Sequence, residues 1–380
     1  MAKWQYSYLQ RKKAESGQTG TATYDLPEKD YLSALHVIAY RTTSTNTNGP
    51  LPVHVIIDKI EVVDGGTVIQ SLTGEQVKGL MYYRGGVINF PPTVETASTE
   101  SYDVFTLHFG LYPHDTKRML DLSKLSNPQV KITWDASKTD HKGVSYDAIS
   151  DPSMKFTVVA ELYRGSPPGG VQGYVKSSQI YSWTQAASTT TEIEIPRGQP
   201  LIGLMINAGY AAKNFTDDVY ELKLDLDNGA WVPFHFYADE VINMINTWYP
   251  QQVDLAFQRD IKDDITFDTR VGYLSSLQAI AFTDVGKTVN WQSGTKGIGT
   301  IGQFDTATPS EDTTWRLTGF QIRGHIPFHN YYIPMKALFD GSVWTLDTTQ
   351  YSRIVLKVTS SSSASTSSTP SVVAEYLAKQ

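Results

Sequence analysis

Tyr24-Asp25-Leu26-Pro27, with Leu32, Leu35 and Ala39 behind it, returns 169 residues later as Ile193-Glu194-Ile195-Pro196 with Leu201, Leu204 and Ala208. The echo continues outward from that pair. The turn Asp64-Gly65-Gly66 and the later Glu75-Gln76-Val77 match Asp227-Asn228-Gly229 and Asp239-Glu240-Val241, at offsets of 163 and 164. Leu120-Asp121-Leu122-Ser123-Lys124-Leu125-Ser126 and Val130-Lys131-Ile132-Thr133 match Leu346-Asp347-Thr348-Thr349-Gln350-Tyr351-Ser352 and Leu356-Lys357-Val358-Thr359, at an offset of 226. Three matches in one order describe two similar domains in tandem. The second carries about 60 extra residues ahead of its last strands.

Both copies read as strand. Tyr220-Glu221-Leu222-Lys223-Leu224-Asp225-Leu226 alternates strictly, which sets leucines on one face and charges on the other. Asn228-Gly229 accepts positive φ cheaply and turns the chain into Trp231-Val232-Pro233-Phe234-His235-Phe236. In the first copy Val53 to Val63 reads as a strand that reaches Asp64-Gly65-Gly66 and returns through Thr67-Val68-Ile69. Helices are few. Thr73-Gly74-Glu75-Gln76 has capping-box spacing, with Val77, Leu80 and Met81 following at helical intervals. Its counterpart runs from Asp239 to Trp248 and stops at Pro250.

The remaining segments divide the chain. Residues 1–19 hold the one basic run, Lys3, Arg11, Lys12 and Lys13, interleaved with Trp4, Tyr6 and Tyr8, and read as an N-terminal arm. Gly165-Ser166-Pro167-Pro168-Gly169-Gly170 continues neither helix nor strand and makes 165–170 the linker. The domains are then 20–164 and 171–359. Asp284 to Thr313 lies in the extra length, is rich in Gly, Thr and Ser, and reads as an extended loop at about 284–313. Residues 360–380 form a Ser-rich C-terminal tail whose end, with Val372, Val373, Tyr376 and Leu377, reads as a short docking helix.

Composition sets the outer limits. The chain has 380 residues, 40% hydrophobic and 19% charged, which is enough to bury two cores. A net charge of −7 argues against a general nucleic-acid-binding surface. There is no cysteine, hence no disulfide and no cysteine metal site. Strands in even succession with one helix per half make an all-β protein of two antiparallel sandwiches. Pattern alone fits jelly-roll and immunoglobulin-like sandwiches equally.

Three stretches carry a resemblance that separates them. They are the Asp64-Gly65-Gly66 hairpin leading into the Thr73–Met81 helix; Leu107-His108-Phe109-Gly110 through Leu120-Asp121-Leu122-Ser123-Lys124 to Trp134; and Tyr181-Ser182-Trp183 before Ile195-Pro196-Arg197-Gly198. In this order they resemble the double jelly-roll major capsid proteins of tailless icosahedral viruses, the lineage of adenovirus hexon and several membrane-containing phages. The resemblance is architectural and covers about residues 20 to 360. It implies two tandem eight-stranded jelly rolls and a homotrimer that presents six rolls as a pseudo-hexagonal capsomer. It implies a structural role in the virion after synthesis in the host cytoplasm, with no enzymatic activity and no cofactor. The implied partners are further copies, neighbouring capsomers and penton or minor capsid proteins, with internal membrane or genome contact through the N-terminal arm.

Rival functions would each need their own chemistry in the chain. A two-cupin enzyme needs His-x-His on an inward-facing strand, and none occurs among the eight histidines. His325 and His329 are separated by Pro327 and share no helical face. Gly286-Lys287-Thr288 ends like a phosphate loop, but Ala281 stands where its first glycine belongs. There is no Gly-x-Ser-x-Gly elbow. Asp263, Asp264 and Asp268, and Asp217, Asp218, Asp225 and Asp227, lack the spacing of a calcium loop. Trp4, Tyr6, Tyr8, Tyr82, Tyr83, Trp183, Tyr331 and Tyr332 suit core and subunit interfaces, or the sugar contacts of a receptor- or carbohydrate-binding spike or tail protein. No catalytic, cofactor or metal site is nominated.

Overall fold

The structure is a computed structural model. It describes residues 3–42, 51–85, 100–142, 144–145, 153–208, 215–240, 244, 326–338 and 345–380, together with the backbone of six strands between 255 and 325. Eight strands build the first half: β1 (Lys3–Glu15), β2 (Thr19–Asp25), β3 (Tyr31–Thr42), β4 (Ile57–Asp64), β5 (Thr67–Leu72), β6 (Glu100–His108), β7 (Pro128–Asp135) and β8 (Ser153–Arg164). They form two facing sheets in the orders β1-β8-β3-β6 and β2-β7-β4-β5, with the short Leu120–Asp121 pairing added on β3. Between the strands stand helix α1 (Val53–Ile56) and helix α2 (Gly74–Gly85).

The second half repeats the plan strand for strand. Its elements are β9 (Tyr174–Ser182), β10 (Thr190–Glu194), β11 (Leu201–Asn207), β12 (Glu221–Leu226), β13 (Trp231–Tyr237), β14 (Asn330–Pro334), β15 (Ile354–Thr359) and β16 (Ser371–Ala378). Their orders are β9-β16-β11-β14 and β10-β15-β12-β13. In both halves the last strand is inserted between the first and the third. These are two eight-stranded jelly rolls. They are joined where β5 runs parallel to β9, with Ser71 opposite Ser178, so that two four-stranded sheets become one of eight.

The repeat seen in the sequence survives as repeated hydrogen bonds. Asp64 Oδ1 accepts from the backbone N–H groups of Ser126 and Asn127, at 2.9 and 2.6 Å. Asp227 Oδ1 accepts from those of Ser352 and Arg353, at 2.6 and 3.1 Å. Asp121 and Asp347 each cap a one-turn 3₁₀ helix, taking the N–H of Ser123 and of Thr349 at 3.1 Å. Thr21 and Thr133 meet hydroxyl to hydroxyl at 3.1 Å, as Thr190 and Thr359 do at 3.0 Å. The hairpin turns and the loops that follow are therefore locked in one way in both rolls.

Each roll buries its own core. Leu32, Leu35, Phe105, Val130, Ile132 and Phe156 belong to the first, and Leu204, Ile206, Leu222, Leu224, Leu356 and Val358 to the second. β7 shows the ordinary one-sided alternation, with Val130, Ile132 and Trp134 buried and Lys131 and Thr133 half-buried. β16 does not. Val372, Ala374 and Tyr376 face the second core, whereas Val373 packs into the first cluster with Met205 and Tyr332.

The structure departs from the sequence pattern in four places. The segment 1–19 is not an arm, because Lys3–Glu15 is an edge strand paired with β8 along its length. The end of the 360–380 tail is not a helix, because Ser371–Ala378 pairs with both β9 and β11. With both faces covered, that strand shows no period of two. Val53–Ile56 is a helical turn that precedes β4, with Val55 and Ile56 donating to the carbonyl of Pro52. Within 284–313, Thr288–Ser293 pairs with Gly299–Phe304, which also pairs with Thr266–Thr269, so this stretch carries strands. The rest of it, and most of the helix read from Asp239 to Trp248, lies outside the described residues. The extra length falls between β13 and β14, and its backbone also sets Arg316–His325 between Leu255–Ile261 and Ser275–Phe282.

A chain cut after Thr369 should fail to fold, because it loses a central strand and leaves β9 and β11 each with an unpaired edge in the middle of the sheet. Circular dichroism and solubility check this. A truncated chain that melts like the full one would restore the tail reading.

Candidate functional site: the seam between the two rolls

Helix α2 begins with the reciprocal pair its sequence announced. The Gln76 N–H donates to Thr73 Oγ1 at 3.3 Å, and the Thr73 N–H donates to Gln76 Oε1 at 2.9 Å. The cap aims the helix into the angle between the rolls, against the outer face of the sheet β9-β16-β11-β14. Most of α2 is consequently buried, including Glu75, Gln76 and Lys78. A polar helix face can be buried only if its groups find partners. The second roll supplies several of them.

Glu375 on β16 is the centre of this arrangement, with its side chain 1% exposed. Its Oε1 accepts from Arg84 Nη2 of α2 and from Ser177 Oγ of β9, both at 2.6 Å. Its Oε2 accepts from Tyr332 Oη of β14 at 2.7 Å. The Tyr332 ring stacks on Tyr83 of α2 with centroids 5.4 Å apart, and Tyr83 Oη donates to the carbonyl of Asn330 at 2.6 Å. Gln76 Nε2 donates to Gln179 Oε1 and to Ser371 Oγ, at 2.7 and 3.0 Å. Gly79 is where the helix comes closest, since a Cβ there would meet Asn330 at 2.6 Å.

In the first turn of the helix, Glu75 is held by Lys142 Nζ at 2.7 Å and His141 Nε2 at 2.9 Å. Lys142 also donates to Asn207 Oδ1 at 2.9 Å, and Asn330 Nδ2 donates to the Glu75 carbonyl at 2.8 Å. Burial works to raise the pKa of Glu75, but Lys142 and His141 outweigh it and hold the carboxyl well below its ordinary range. Beside these groups lies a cleft of about 230 Å³, lined by His54, Asp58, Lys138, Ser182 and Thr369 among others. Near the other end of α2, burial and then the Arg84 charge push His108 down to about 3.

The residues singled out from sequence are scattered. Asp218 accepts from the Ser365 N–H and Ser368 Oγ, at 3.2 and 3.1 Å, and fastens the serine-rich segment. Asp225 stands 3.6 Å from Lys357, and Asp227 serves its turn. His329 is buried in a 3₁₀ turn. The side chains of Asp263, Asp264, Asp268 and His325 lie outside the described residues. Among the described residues no three His, Asp or Glu side chains gather as metal ligands. Of the aromatics, Tyr6 and Tyr8 are exposed, while Tyr82, Tyr83, Tyr331 and Tyr332 are buried. Sequence reasoning missed Arg84, Ser177 and Glu375, whose partners are up to 291 residues away. No local signal marks such a contact.

No family model and no curated protein matches this chain. Solved structures do match in fold. The chain is similar to the STIV MCP, with a TM-score of 0.56 and 10% identity over 99% of this chain and 97% of that one. It is similar to PBCV-1 VP54, with 0.55 and 10% over 99% and 94%. It is similar to the major capsid protein P2 from Bacteriophage PM2, with 0.52 and 11% over 100% and 98%. At such identities the likeness is one of fold, and it extends over the whole double jelly roll.

Two outcomes follow for the seam. Glu375→Ala removes the acceptor of a buried cation and should cost about 3 kcal/mol in chemical denaturation. Acid should loosen the same region. Glu75 has a lowered folded pKa, so its contribution is present above the ordinary carboxylate range and is lost as pH falls towards the folded value. His108 is neutral when folded, so its contribution shrinks as pH falls from 6.5 towards about 3. Both signs agree. Calorimetry should give a melting temperature that drops steadily below neutral pH, with His108→Gln flattening the upper part of the fall.

Proposed function

We propose that this protein is the major capsid protein of an icosahedral virus, and that its work is self-assembly. The observation that carries the reading is the coincidence of its two-roll architecture, over nearly the full length of both chains, with proteins described as viral capsid components. A match to a single sandwich would carry far less, because sandwiches serve many functions.

The finer reading is a trimer, and the seam supports it. Within one chain, α2 and β5 of the first roll cover the outer face and edge of the sheet that β9 begins. The counterpart of β5 in the second roll is β13, and the counterpart of β9 in the first is β1. Both end their sheets among the described residues. The outer face beside β1 carries Tyr6, Tyr8 and Tyr102, exposed at 57, 64 and 57%, with the half-buried His36, Ile38 and Val104 between them. It corresponds to the face that α2 covers in the second roll. Repeating the intrachain contact between copies, β13 of one against β1 of the next, gives a heterologous interface. Such an interface must close into a ring or run on as a filament. Three copies close it with six rolls, which is the pseudo-hexagonal block of the capsid reading. Neighbouring capsomers and penton or minor capsid proteins would complete the shell. Contact with an internal membrane or genome would fall to the exposed Arg11, Lys12 and Lys13, which sit in a strand and not on a free arm.

Light scattering on the purified protein should give a mass of three chains. Tyr6→Asp combined with Tyr8→Asp should release folded monomers whose secondary structure is unchanged. A wild-type protein that stays monomeric at every concentration, or stops at a dimer, contradicts the reading.

A further inference from the structure

We propose that Lys78 and Asp103 join through a self-formed amide, Nζ to Cγ, which fastens helix α2 covalently to strand β6. The two side chains are each 1% exposed, and Lys78 Nζ lies 2.6 Å from Asp103 Oδ1. They sit between the rings of Phe105 and Phe328, whose centroids are 6.0 and 5.6 Å from Nζ. The two oxygens of the carboxyl group are in different surroundings. Oδ1 also accepts the Val104 N–H at 2.8 Å, whereas Oδ2 is buried without a hydrogen-bond partner. His54 Nδ1 stands 3.7 Å from Oδ2, and its ring packs edge-on against Phe328.

This arrangement matches what acyl transfer needs. The attacking amine must be neutral, and the short hydrogen bond gives its proton a path to the carboxyl group. The amine is then held beside the carboxyl carbon, which converts a slow bimolecular condensation into an intramolecular one. The Nζ lone pair attacks Cγ, and the electrons of the C–Oδ1 double bond move to Oδ1, where the Val104 N–H receives the charge. Nζ sheds two protons in all, one that crosses to the carboxyl group before the attack and one after it, and both end on Oδ2, the second by way of His54. The carbonyl re-forms as the Cγ–Oδ2 bond breaks, and one water leaves. The balance is one ammonium and one carboxylate consumed, one amide and one water formed, with no oxidant or other reactant. Burial lowers the pKa of His54 against the opposing pull of Asp103, which suits a ring that passes a proton on.

The test is the mass of the purified full-length protein under denaturing conditions. It should be one water lighter than its sequence, and a protease digest should yield a branched peptide that joins Lys78 to Asp103. The unmodified mass after prolonged incubation of the folded protein would overturn the proposal. So would a lost water traced to a cyclic imide at Asp64-Gly65. Asp103→Ala should restore the full mass, and His54→Phe, which preserves the ring contact, should slow bond formation by about a hundredfold. Cross-linking of that variant at the wild-type rate removes His54 from the mechanism. The wild-type mass stands as a test even if either variant fails to fold.

Discussion

Glu375 holds the two halves of this molecule in one geometry. It lies on a strand that has no solvent face, so its charge must be met by protein groups and not by water. Arg84, Ser177 and Tyr332 meet it, and they come from a helix of the first roll and two strands of the second. A buried ion pair adds little net stability compared with apolar packing, but it penalises every arrangement that leaves one partner unmatched. Apolar contacts such as Val373 against the first core would tolerate a slide of one roll over the other. The carboxylate does not.

This constraint explains how two copies of one design came to differ. Their frameworks agree down to the aspartate that locks each hairpin turn, Asp64 in one roll and Asp227 in the other. Their outer faces do not agree. The face in the second roll is built for a helix of the same chain and carries Asn207, Asn330 and Glu375, each of which has a partner across the seam. The matching face in the first roll carries tyrosines with their rings in solvent. Turn geometry is set within a roll, so it is retained in both. Face chemistry answers to whatever lies opposite, so it diverges.

The parts that were legible in the sequence are those decided locally. A capping box, an Asn-Gly turn and the alternation of the leucines in β12 each depend on residues a few positions apart, and each appears where it was read. What was missed depends on distant partners. β16 lacks alternation because each face meets a different core, and β1 was hidden by basic residues at an exposed edge. Glu75, Gln76 and Lys78 have the composition of a solvated helix face, yet all three are buried. Tyr83 and Tyr332 were rightly placed among core or interface residues, although the interface they serve lies inside the chain. The candidate site was thus almost wholly invisible before the fold brought its residues together.

In each roll the final strand enters between the first and the third. During synthesis, the chain of the first roll therefore emerges with a gap between β1 and β3 that only β8 can fill, more than a hundred residues after β3 begins. The second roll waits longer still, because β16 follows the long segment between β13 and β14 and the serine-rich stretch after it. Until β16 arrives, the face that α2 is made to cover does not exist. The first roll must then hold Arg84 and the polar side of its helix in water while translation finishes. An unfinished chain therefore cannot close the seam between its rolls, because the strand that completes the seam is the last of the second roll to be made.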